Sequence, residues 1–191
     1  MLRFGASMRV DAGIARGRKL KSVPSPEVRP VTDRVKQAVF NILGDDVIHS
    51  RWLDMFAGSG AVGIEALSRG AASVLFIDID RLAIRTIEEN LQHTGLGGGA
   101  RVLRADAFEF IRARPNETFD FIYVAPPQYR GLWSRALTAI DENIGWLAPN
   151  GTAIVQLDPR EFAPIPLQHL ELTDQRRYGK TMLLFYDRIA R

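Results

Sequence analysis

Residues 53–63 read Leu53-Asp54-Met55-Phe56-Ala57-Gly58-Ser59-Gly60-Ala61-Val62-Gly63. An apolar run (Trp52, Leu53, Met55, Phe56) stops at a glycine-rich turn, and Ala61 to Ser68 then carries Val62, Ile64, Ala66 and Leu67 at spacings that suit a packed helix. This predicts a strand, a tight turn and a helix N-terminus. Gly58, Gly60 and Gly63 spell G-x-G-x-x-G, which lets backbone approach a ligand closely and leaves helix N–H groups free to bind it. Several nucleotide-type cofactors use this motif. Asp54, four residues before Gly58, chooses among them, because a carboxylate at the turn repels a dinucleotide pyrophosphate and favours a ligand with positive charge. S-adenosylmethionine (SAM) carries both a sulfonium and an ammonium.

Outward from this stretch, strands alternate with helices. On the N-terminal side, residues 8–21 alternate apolar and basic side chains around Gly13 and Gly17, as in a short curved hairpin, and the three prolines of 22–30 impose an extended path. Thr32 or Asp33 caps a helix with an apolar stripe of Val35, Ala38, Val39, Ile42 and Leu43, leaving Arg34 and Lys36 outside it and Gly44 at its end. On the C-terminal side, strands are expected over 73–77, 101–103, 119–124 and 152–157, with helices over 81–93, from Asp106, and over 132–140. Residues 170–176 and 181–186 pair as a hairpin around Tyr178-Gly179-Lys180. The pattern predicts an α/β fold, with a parallel sheet covered on both faces and an antiparallel hairpin at its edge.

The 191 residues suffice for one cored domain, and 46% hydrophobic with 25% charged residues is ordinary globular composition. No apolar run reaches the length of a membrane span, there is no cysteine for a disulfide or thiolate metal site, and His49, His93 and His169 are scattered. A monomeric cytoplasmic protein without metal or membrane contact is expected. The net charge of +3 is uneven, since residues 1–36 hold nine basic side chains against three acidic ones. A basic arm on a near-neutral body suggests a polyanionic partner.

Ligands of doubly wound sheets bind at the carboxyl ends of strands, where Asp54, Asp78 and Asp106 fall. Asp78, 20 residues beyond Gly58, suits ribose hydroxyls, and Asp106, followed by Ala107 and Phe108, suits an adenine amine. Together with Phe56, Ser59 and Ile79 these acids and glycines are the candidate cofactor site. The candidate catalytic segment is Ala125-Pro126-Pro127-Gln128-Tyr129. Its prolines stiffen the chain and lack N–H groups, so backbone carbonyls are left to accept a hydrogen bond from a substrate amine. Such a bond helps localise the amine lone pair for in-line attack on a methyl carbon. Tyr129 or Trp133 is expected to stack on a base drawn out of its helix.

The sequence resembles the RsmD-like enzymes, which methylate the N2 amine of a guanine in bacterial 16S rRNA. The likeness lies in Gly17-Arg18-Lys19-Leu20, in Arg29-Pro30-Val31-Thr32-Asp33-Arg34-Val35, in Asp54 to Gly60 continuing through Gly63 to Gly70, and in Asn143-Ile144-Gly145-Trp146-Leu147. It implies a seven-stranded Rossmann-like methyltransferase sheet over residues 31–191, with residues 1–30 as an RNA-contacting arm. It also implies SAM as methyl donor and rRNA of the small ribosomal subunit as substrate. Arg16, Arg18, Lys19, Arg29 and Arg34 are the expected RNA contacts. The chain departs from the usual Asp or Asn, Pro-Pro, Phe or Tyr motif, with Ala125 and Gln128 at its ends. Three functions stay open: a guanine-N2 methyltransferase using a backbone carbonyl or Gln128, a SAM- and RNA-binding assembly protein with little activity, and a methyltransferase for another amine.

Overall fold

The computed structural model describes residues 8–24 and 32–189. Its elements are α1 (Asp33–Leu43), β1 (Arg51–Asp54), α2 (Ala61–Ser68), β2 (Ser73–Asp78), α3 (Arg81–Thr94), β3 (Ala100–Arg104), α4 (Ala107–Arg112), β4 (Phe119–Val124), α5 (Leu132–Glu142), β5 (Leu147–Leu157), β6 (Leu170–Tyr178) and β7 (Thr181–Arg188). The strands form one seven-stranded sheet in the order β3-β2-β1-β4-β5-β7-β6. The first five run parallel, whereas β7 lies antiparallel between β5 and β6. The order reverses between β1 and β4, which places a crevice at their carboxyl ends.

Each face of the sheet buries its own apolar layer. Trp52, Phe121, Tyr123 and Ile154 meet α1, α2 and the N-terminal arm, while Leu53, Ile77, Ile122 and Val155 meet α4 and α5. Alternation along each strand decides which layer a residue joins. The helix starts follow local chemistry, with Thr32, Asp80 and Asp106 side chains accepting N–H bonds in the first turns of α1, α3 and α4. Strand β5 begins five residues earlier than the 152–157 segment suggests, because Leu147 already pairs with Phe119 before the register shifts around Pro149-Asn150-Gly151.

The arm is part of the core. An isolated antiparallel bridge joins Arg9 and Lys19, and Met8, Val10, Ala15 and Leu20 pack with α1 and α2. Gly13 has φ +81°, and a Cβ there would lie 1.8 Å from the Ser68 carbonyl oxygen, so only glycine fits. The extended course expected for 22–30 lies outside the described residues beyond Pro24.

Two expectations for α1 fail. Lys36, read as lying outside the stripe of α1, is completely buried. Its Nζ lies 3.2 Å from Glu65 and 3.3 Å from Asp11, and it donates to the Arg9 carbonyl at 2.5 Å. Glu65, equally buried, also accepts the Asp11 and Ala12 N–H groups and the Arg69 guanidinium. The ammonium is thus counter-charged by two carboxylates drawn from the arm and α2, which is the condition for keeping a charge out of water. Phe40 takes the place in the stripe assigned to Ile42, which is 37% exposed. Lys36→Met leaves Glu65 and Asp11 buried without their ammonium, so urea unfolding should record a loss of about 3–5 kcal/mol.

Candidate active site

The turn after β1 is held by carboxylates from two strands. Asp78 Oδ2 accepts the Gly58 N–H at 2.9 Å, and its Oδ1 accepts the Asp80 N–H at 2.9 Å. Asp54 Oδ2 accepts the Gly63 N–H, at 3.3 Å, inside the first turn of α2. Gly58 and Gly60 have φ of +56° and +78°, and a Cβ on Gly63 would strike the Phe76 ring at 2.3 Å. The glycines therefore serve the turn and the helix-to-sheet contact together. Gly60 caps α2 and packs against Ile87.

A cleft of about 700 Å³ opens at these strand ends. Asp54, Phe56, Gly58, Ser59, Asp78, Ile79, Asp106 and Ala107 line one part, and Ala125, Pro126, Pro127, Gln128 and Tyr129 line another. The Ser59 hydroxyl reaches back to the Met8 sulfur, tying the turn to the arm. Asp106 Oδ1 caps α4 through the Phe108 and Glu109 N–H groups, while Oδ2 takes no donor from the described residues. Ile79 is 64% exposed, and Phe56 meets Phe108 edge-on at 5.9 Å, so apolar surface stands between the acids as the plane of an aromatic base requires.

Asp54 is the electrostatic centre of the cleft. Burial pushes its carboxyl up to about 7, the Gly63 N–H opposes this, and the Asp78 charge adds to it. A ligand cation placed beside it draws the proton off and recovers the cost of burying the charge. Next to it the sequence reading missed two polar groups. Tyr123, on β4, donates its hydroxyl to Gln156 on β5, and both line the cleft. Burial, with the Asp54 charge, pushes the Tyr123 phenol up, so it stays a donor. Their signal in sequence is slight: Tyr123 and Gln156 are polar groups near the carboxyl ends of the otherwise apolar FIYV and AIVQL runs.

In the loop after β4, Pro126 is buried and Pro127 exposed, and residue 125 offers only a methyl side chain. Tyr129, 55% exposed, has φ +63°, and it donates to Asp158 at 2.5 Å and accepts from Arg160 at 2.5 Å. Arg160 and the Tyr129 hydroxyl hold the Asp158 carboxyl well below the ordinary range. The alternative stacking residue is ruled out: Trp133 is 4% exposed and packs in the core against Phe162. It sits on the buried stripe of α5 with Ala136, Leu137 and Ile140.

The expected RNA contacts are scattered. The arm's turn docks at Ser68, the end of α2 remote from the glycine turn, and Arg18 donates to the His93 carbonyl at the end of α3. Arg16 and Lys19 are exposed there, whereas Arg34 lies over the Tyr178 ring at 5.8 Å. Arg29 lies outside the described residues. Among the described residues there is no group of His, Asp or Glu fit to hold a metal, and no helix is long and apolar enough to cross a membrane.

The Asp54 carboxyl fixes a pH response for the free protein. Its folded value of about 7 exceeds the ordinary aspartate value of 3.8, so the folded state holds the proton more tightly. The stability this lends is complete below about pH 4 and is lost as pH rises through about 7, on the order of 4 kcal/mol in all. Urea unfolding from pH 5 to 8 should show that slope, and Asp54→Asn should flatten it.

Comparison with known proteins agrees with this architecture. Ribosomal RNA small subunit methyltransferase D of Escherichia coli (strain K12) is 36% identical over 183 residues, spanning 96% of this chain and 91% of that one. The protein of the same name from Haemophilus influenzae is 37% identical over 79% of each chain. The solved structure of yhhF from Escherichia coli superposes with a TM-score of 0.85 at 34% identity, covering 97% of this chain and 100% of that one. The model of the family described as conserved hypothetical protein 95 matches residues 8–187, and the chain belongs to that family, the RsmD family of methyltransferases.

Proposed function

We propose that this protein transfers a methyl group from SAM to the exocyclic N2 amine of a guanine in 16S rRNA, acting as a cytoplasmic monomer on the small ribosomal subunit or its precursor. One observation carries the reading: three acids and a glycine turn line the same cleft as the proline-stiffened 125–129 loop. The names of the two rRNA methyltransferase relatives support the substrate class.

The residues present fit the donor. A buried carboxyl poised near neutrality at Asp54 calls for a cationic ligand, which a dinucleotide is not. Asp78 retains lone pairs for ribose hydroxyls, Asp106 Oδ2 is left to accept from a donor such as the adenine amine, and the exposed Ile79 offers an apolar face to the ring. When bound, SAM supplies an electrophilic methyl carbon.

The chain's own task is to aim the nucleophile. An exocyclic guanine amine has its lone pair delocalised into the ring, and a fixed acceptor on one N–H favours the pyramidal form that can attack. With a methyl side chain at 125, the backbone carbonyls of Ala125 and Pro126 are the acceptors proposed here, beside the half-buried Gln128 amide. Tyr129 is proposed to cover the extracted base. The loop itself carries no carboxylate to take a proton, so the proton of the second N–H passes to water after transfer. Arg16, Arg18, Lys19, Arg29 and Arg34 are proposed to add phosphate contacts.

The Ala125 departure favours one other reading, a protein that binds SAM and RNA with little turnover. Incubation with labelled SAM and small subunits lacking the modification separates them. Label on guanine N2 is expected; SAM and RNA binding without transfer supports the second reading, and label on another substrate alone refutes the guanine assignment. Asp78→Ala should weaken SAM binding in calorimetry by tenfold or more, by about 1.4 kcal/mol at least. Ala125→Asn restores a side-chain acceptor, and kcat should rise by up to about 100-fold with the SAM Kd unchanged.

A further inference from the structure

The cleft has a basic rim of which the motif reading uses only Arg34. The β6–β7 turn brings Tyr178 opposite Thr181, and Met182 pairs with Leu157 at the carboxyl end of β5. The next residue, Asp158, holds Tyr129 at the cleft. The turn therefore stands at the same edge of the sheet as the proposed methyl-transfer site, two strands from the 125–129 loop.

This edge is rich in cations. Arg176, Arg177 and Lys180 are exposed at the turn, and Arg130 and Arg160 are exposed beside Tyr129. Arg34 completes the set by its contact with Tyr178. Asp174 pairs with Arg176 at 3.0 Å and Asp158 with Arg160 at 3.0 Å, but no carboxylate of the described residues lies in ion-pair range of Arg177, Lys180 or Arg130. Arg177 is steadied by donating to the Gly179 carbonyl at 3.3 Å. Successive side chains on a strand point to opposite faces, so Arg176 and Arg177 straddle the sheet edge and can contact phosphates on both sides of it.

We propose that the β6–β7 turn is an RNA-docking rim, in which Arg176, Arg177 and Lys180 bind phosphates flanking the nucleotide delivered to the cleft. The proposal rests on the RNA methyltransferase reading above. Exposed cations, of which Arg177 and Lys180 have no carboxylate partner among the described residues, near the exposed Tyr129 and an adjoining base-sized cleft are the combination that single-stranded nucleic acid uses, with charge tracking the backbone and aromatics taking bases. The arm's turn, docked at Ser68, lies at the far end of α2 and does not border the cleft.

Charges on an edge strand also guard against pairing with another chain, and salt dependence separates the two roles. The test compares the full chain with its Arg176→Ala/Arg177→Ala/Lys180→Ala variant in binding an unmodified 16S rRNA transcript across a salt series, with SAM calorimetry on both. The expected result is RNA binding weakened at least about tenfold, a log K against log salt slope shallower by about two to three, and unchanged SAM affinity. An Arg176→Lys/Arg177→Lys variant should keep most of the slope. Unchanged RNA affinity and slope in the triple variant, or self-association as its only new property, overturns the proposal while leaving the methyltransferase reading intact. A wild-type protein that binds SAM and no RNA overturns both.

Discussion

The site depends on a pair of carboxylate-to-backbone bonds, Asp78 to the Gly58 N–H and Asp54 to the Gly63 N–H. A glycine-rich turn has little conformational preference of its own, so its shape must be imposed from outside. Here the imposing groups sit at the ends of neighbouring parallel strands, whose register is fixed by the pairing of Arg51–Asp54 with Ser73–Phe76 and of β2 with β3 as far as Asp78. The sheet thereby sets the turn, and the turn sets where helix N–H groups and acids face the cleft. Both carboxylates also line the cleft, so under the proposed function holding the loop in place and recognising a cofactor are one arrangement. The elevated Asp54 carboxyl is its electrostatic cost, arising from burial beside the Asp78 charge.

Much of this was legible in the sequence because it is periodic or local. Helix α2 runs over the residues that its apolar spacing and glycine start indicate, and Asp80 and Asp106 cap the helices that follow them. The strand-end acids and the proline loop were placed by the rule that binds ligands at carboxyl ends of parallel strands. Where the reading failed, the deciding contact was distant in sequence. Lys36 looks like a solvated residue at the edge of an apolar stripe, and only its partners Asp11 and Glu65 make its burial possible. Trp133 looked like a stacking platform because it follows the proline loop, whereas helix α5 turns it into the core. Tyr123 and Gln156 meet across two strands, a pairing that a single strand's pattern does not contain.

The chain resolves a conflict between precision and plasticity at position 125. A charged acceptor would aim a substrate amine strongly; on the proposed reading the methyl group leaves that to the rigid backbone carbonyls of Ala125 and Pro126. Backbone carbonyls of a stiff loop need no reorganisation during reaction, which is the condition under which a fixed dipole acts on a developing charge. On that reading specificity rests more on where the base is delivered than on a single strong bond, giving the surfaces around the cleft a larger share of the work.

The buried ion cluster also has a history within each molecule's making. Asp11 and Glu65 are 54 positions apart, and Lys36 lies between them. During vectorial synthesis at about 5–20 residues per second, the arm and α1 wait several seconds for α2. Until then their charges stay hydrated, and the nascent N-terminal third has no interior in which to close. Desolvation of the three groups cannot precede α2, and because the layer around them also takes Phe121, Ile154, Leu183 and Phe185, the beginning of the polypeptide acquires its final packing only when strands from its end have joined.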